Sequence, residues 1–91
     1  MDLTARYRKA LRQADFGRLD AAEATLREVL AAGPGATTRV RALVVLGDLL
    51  CGTGRVAEAL PLLEEALAGP VEDDLLDVEL DRARALLAHH G

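Results

Sequence analysis

Guanidinium groups are the chemistry this chain offers most plainly. Arg8 and Arg12 stand four residues apart with Lys9 between them, and Arg41 follows later in the chain. A guanidinium presents a rigid fork of donors that matches a carboxylate, so arginines gathered on one wall would hold an acidic peptide or a C-terminal carboxylate. Left in water, Arg8, Lys9 and Arg12 are simply the wet side of a helix, and the sequence leaves both readings open. The other reactive types are poorly supported. Cys51 has no histidine or other base near it in sequence, which suits a small buried or lining residue better than a nucleophile. His89 and His90 lack a cysteine or carboxylate at ligand spacing, so no metal site is expected. Glu58, Glu64 and Glu65 lie on the outside of a helix, where paired catalytic carboxylates would lack a pocket. The pairs Gly33-Pro34 and Gly69-Pro70 punctuate helices, and no strand precedes them to make a phosphate loop. Neither an enzyme nor a cofactor is expected.

The elements that would carry these residues are helices throughout. Leu3, Tyr7, Ala10, Leu11 and Ala14 recur at the spacing of one helix face, predicting a helix over about 3–15, begun by Asp2 or Thr4 and ended at Gly17. Leu19, Ala22, Leu26, Val29 and Leu30 predict a second over about 18–32. Thr37 or Thr38 would cap a third running to about 51, with Val40, Leu43, Val44, Leu46, Gly47 and Leu50 inward and Val45 widening the face. A fourth, about 55–68, would start at Thr53 and carry Val56, Ala59, Leu60, Leu63, Ala66 and Leu67 inward. Pro61 falls inside it, off the apolar stripe, and predicts a mild kink. A fifth follows Gly69-Pro70 and reaches about His89. Short links between successive helices imply antiparallel neighbours.

Two stretches repeat. Residues 17–34 read GRLDAAEATLREVLAAGP and residues 54–70 read GRVAEALPLLEEALAGP. Both open on Gly-Arg, place a small residue five positions later (Ala22, Ala59), then a leucine (Leu26, Leu63), and close on Gly-Pro. Self-similarity at this period marks stacked helical hairpins. Residues 40–70 resemble the tetratricopeptide repeat: Leu43, Leu46, Gly47 and Leu50, then Gly54, Ala59, Leu63, Ala66 and Pro70, follow that family's alternation of large and small positions. The first hairpin departs from it, with Leu11 for the small residue and Ala14 for the tyrosine-like one. The expected fold is all-α: two such repeats (about 3–34 and 37–70) and a capping helix (about 71–89), five helices in one α-α superhelical domain spanning 1–91.

The resemblance implies a peptide-binding groove lined by the first helix of each pair. It places Arg8, Arg12 and Asp15, then Arg41, Val44, Asp48 and Cys51, toward that groove, with Lys9 and Arg39 at its margin. The family's carboxylate clamp uses lysine and asparagine, and this chain has no asparagine. Two repeats and a lid fall short of the roughly three repeats such stacks need, so a homodimer is expected. Leu75, Val78 and Leu86, which make the fifth helix apolar over a wider face than one neighbour requires, are the candidate dimer contacts. The acidic run 71–81 either starts and solvates that helix or docks into a sister chain's basic groove.

Charge and composition narrow the function classes. The net charge is −4, with eight basic and five acidic residues over 1–41 and three basic and ten acidic over 42–91. An acidic chain lacks the excess of cations that nucleic acid demands. No run of 18 apolar residues suggests a membrane span, and the first residues do not read as a secretory signal. One cysteine fits a reducing cytoplasm, and abundant Ala, Arg, Gly and Leu fit a bacterial source. The expectation is a non-catalytic cytoplasmic adaptor for a protein or peptide, acidic in character. The competing expectations are a structural or accessory subunit of a larger complex, and a regulatory segment acting through another protein.

Overall fold

A computed structural model describes residues 2–69 and 76–90. Five helices follow one another: α1 (Leu3–Asp15), α2 (Leu19–Ala31), α3 (Ala36–Gly52), α4 (Val56–Ala68) and α5 (Asp77–His90). There is no strand among the described residues, and the fold is all-α. None of the described helices is long and apolar enough to cross a membrane.

Local chemistry explains the boundaries. Asp2 caps α1, its Oδ1 accepting from the amides of Thr4 (3.0 Å) and Ala5 (3.3 Å). Gly17 and Gly54 end the turns after α1 and α3 with φ of 77° and 81°, a conformation that a Cβ disfavours. Matching turns at the two positions fit the sequence repeat. Two expected caps fall elsewhere. Gly35, extended and without a side-chain bond, begins α3 ahead of Thr37 and Thr38. Thr53 closes α3 instead of opening α4: its hydroxyl donates to the carbonyl of Leu49 (3.1 Å) or Leu50 (3.2 Å). Arg55 is the residue before α4 and makes no side-chain cap. Pro61 sits on the exposed side of α4, which continues through it to Ala68.

α3 is the hub, touching each of the other four helices. Contacts also run from α1 to α3 and from α3 to α5, so alternate helices form one layer, with α2 and α4 behind. The core has two halves. Ala10, Leu26 and Val29 of the first hairpin meet Ala42, Leu46, Leu50 and Ala59 of the second. Val40, Leu43, Val44, Leu63 and Ala66 meet Leu76, Ala83 and Leu86. Leu30, Cys51 and Leu62 border both halves. A close approach occurs at Gly47: a Cβ there would lie 2.5 Å from Leu63 Cδ2 and 2.7 Å from its Cγ. Ala59 is likewise fully buried.

Behind this layer, charged pairs tie the hairpins together. Arg55 reaches back to Glu23 of α2 (2.5 and 3.1 Å) and forward to Glu58 (2.6 and 2.8 Å). Arg27 completes the network at Glu23. Arg6 pairs with Glu28 and Arg39 with Glu65.

Candidate binding face

The layer of alternate helices is the surface on which polar side chains from distant parts of the chain converge. Tyr7 of α1, Arg41 of α3 and Glu79 of α5 form one group. Arg41 Nε stands 3.6 Å from Glu79 Oε1, an ion pair too long for a hydrogen bond. Glu79 Oε2 is buried and has no hydrogen-bond partner among the described residues, leaving an acceptor to be satisfied at this point. Burial pushes the Tyr7 phenol above its ordinary value, the Glu79 carboxylate pushes it further, and Arg41 opposes both. Tyr7 is therefore a neutral donor at physiological pH.

Further along, Arg82 of α5 grips Asp48 of α3 with two bonds, Nη2 to Oδ1 at 2.8 Å and Nε to Oδ2 at 3.2 Å. Beside this pair lie two hollows that share Asp48 and Gly52. One, about 410 Å³, is lined also by Cys51, Arg82, Ala85, Leu86, His89 and His90. The other, about 260 Å³, is largely aliphatic, with Ala14, Leu19, Val45, Leu49 and Thr53 around it. Phe16, 80% exposed, closes α1 between Asp15 and the turn leading to Leu19.

The residues expected in the groove do not form one wall. Arg8 and Arg12 are exposed and make no ion pair among the described residues. At 100° per residue both lie about 160° around α1 from the buried Ala10, pointing away from the core. Arg41 is taken by Glu79. Val44 is 3% exposed and belongs to the core, because α5 covers the side of α3 that carries it. Asp48 borders both hollows but is held by Arg82. Cys51 is half-buried, and burial raises its thiol, with Asp48 adding to the rise and Arg82 opposing it, so little thiolate forms at neutral pH.

Of the three candidate dimer contacts, Leu86 is buried among Ala83 and Leu76 and is no surface residue. Val78 is exposed, and Leu75 lies outside the described residues. So do Glu72, Asp73 and Asp74 of the acidic run. Among the described residues no three of His, Cys, Asp and Glu stand in a metal-binding arrangement. His89 and His90 pack edge to face, with ring centroids 4.6 Å apart.

Sequence reasoning passed over Tyr7, Glu79, Arg82, Leu19 and Leu49 as members of this face. A signal was present. Asp48 and Arg82 are opposite charges 34 residues apart, about one repeat, as expected of neighbours on successive helices of one layer. No protein-family model, no curated protein and no solved structure matches the chain.

Proposed function

We propose that this protein is a non-catalytic interaction module, a short tetratricopeptide-like stack acting in the bacterial cytoplasm, where Cys51 stays reduced. Its inner layer of α1, α3 and α5 receives a segment of a partner protein. The observation that carries this reading is the aliphatic hollow of Ala14, Leu19, Val45 and Leu49 set directly beside the polar cleft at Asp48 and Arg82. An apolar seat flanked by fixed polar groups is how protein sites hold a side chain and orient the chain that bears it. Val45 and Leu49 are only half-buried, so part of their apolar surface remains for a guest.

The test is capture from the native host with the wild-type chain and with Val45→Asp and Leu49→Asp, each checked for helicity. One specific protein retained by the wild type and lost by both variants supports the reading. Equal retention by all three sinks it. A second reading, an assembly subunit that dimerises or completes a larger complex, is favoured by the exposed Phe16 and Val78. Light scattering separates them: an assembly subunit has a defined multiple of the chain mass, or a fixed ratio to its companion, whatever occupies the hollow.

A further inference from the structure

The two hairpins can be superposed by number, because Gly17 and Gly54 occupy the same turn 37 residues apart. On α3, the side that meets the first hairpin carries Ala42 and Leu46, both fully buried, with Val45 and Leu49 half-buried beside them. The same positions of α1 are Ala5, Lys9, Arg8 and Arg12, all exposed. One further equivalence concerns the turn. Arg55 reaches back to Glu23 of the preceding hairpin, and its counterpart is Arg18.

These cations stand out electrostatically. Arg6, Arg27, Arg39, Arg41, Arg55, Arg82 and Arg84 all pair with a carboxylate. Arg8, Lys9, Arg12 and Arg18 make no ion pair among the described residues, and all four occupy positions that on the second hairpin look back toward a neighbour. Asp15, the exposed acid of α1, corresponds to Gly52, which lines the same hollow as Val45 and Leu49, and so stands on the side of Arg8 and Arg12. With Arg18 the face therefore holds four cations against one acid, in a chain whose net charge is −4. That overall charge disfavours nucleic acid as the counterpart, because a polyanion would be repelled by most of the surface.

We propose that the outer face of α1 is a docking surface for an acidic amphipathic helix of a partner protein. The helix lies on α1 as α2 lies on α3, sets carboxylates against Arg8, Lys9 and Arg12, and offers one to Arg18 as Glu23 does to Arg55. A helix is specified because the equivalent face of α3 is shaped by helices. Acidity is specified because the apolar knobs of that face are replaced here by cations. The surface is separate from the aliphatic hollow and does not require it to bind anything.

The test uses the whole chain and a defined probe: a synthetic Ala/Glu helix with glutamates at i, i+3 and i+4 spacing. A proline-interrupted peptide of matched charge and a short DNA duplex are the comparators. Backbone amide shifts locate the contact. The expected result is shifts confined to α1 and Arg18, weaker binding by the non-helical peptide and the duplex, and loss of about tenfold in affinity in Lys9→Glu/Arg12→Glu. Because that double reversal could disturb α1, Arg8→Ala/Arg18→Ala is read alongside and is expected to weaken binding in the same direction. Shifts at Leu19, Val45 and Leu49 instead would place the peptide in the hollow and overturn the assignment. Equal or tighter binding of the duplex, indifference to helicity, or no binding at all would also overturn it.

Discussion

Replacing Gly47 by alanine puts a methyl group where Leu63 already stands. The new Cβ would lie 2.5 Å from Leu63 Cδ2 and 2.7 Å from Cγ, against about 3.5–4.0 Å for a relaxed carbon contact. Roughly 1 Å of separation must be found. Cγ is the branch point of the side chain rather than its free end, and Leu63 is fully buried, so rotation alone does not clear it. Overpacking of this kind costs about 1–3 kcal/mol. Alanine in place of glycine within a helix returns about 0.8–1.0 kcal/mol. The packing term is the larger across nearly all of this range, and Gly47→Ala is expected to lose up to about 2 kcal/mol in urea unfolding followed by helical circular dichroism. For a chain of this length each kcal/mol corresponds to about 4–8 °C in Tm. Leu63→Ala alone should cost about 2–5 kcal/mol, but less in the Gly47→Ala background, where the added methyl occupies part of the cavity. A Gly47→Ala variant that gains stability would mean that helix propensity governs the site, and the close crossing of α3 on α4 would be refuted.

Three further outcomes follow from local physics. Gly17→Ala and Gly54→Ala meet open space but must hold φ near +77° and +81°, so each should lose about 1–2 kcal/mol by the same unfolding assay. Hydrogen bonds from Arg55, joined at Glu23 by one from Arg27, hold the Glu23 and Glu58 carboxyls below their ordinary value of 4.5. A depressed carboxyl contributes its stability above the unfolded value and loses it as pH falls through the folded one. Stability should therefore decline below about pH 4.5, and Glu23→Gln should flatten that decline, most visibly at low salt. Burial first, and Asp48 second, raise the Cys51 thiol, so an aromatic disulfide reagent at pH 7.5 should react with it more slowly than with the urea-unfolded chain. Equal rates would place Cys51 outside the shelter of α5.

Much of the architecture was legible along the chain. The stripe from Leu3 to Ala14 and the cap at Asp2 define α1, and Gly17 and Gly54 mark turns that hold under any arrangement of helices, because they depend only on neighbouring φ and ψ. Gly47 was legible too, as a gap in an otherwise large-residue stripe facing α4. The candidate site was far less so. Val44 and Leu86 sit at apolar positions of helices with apolar residues on more than one side, and periodicity cannot say which side a neighbour will cover. The same holds for charge: Arg8, Arg12 and Arg41 are equivalent in type, yet among the described residues only Arg41 meets an acid, because Glu79 arrives from a helix 38 positions away. Helices, turns and the identity of most core residues are local matters of spacing and backbone freedom, and the amino-acid order alone determined them. The burial of one side of α3 beneath α5, and with it the division between paired cations and those of α1 that make no ion pair among the described residues, depends on how helices cross in space, and only the tertiary structure decided that.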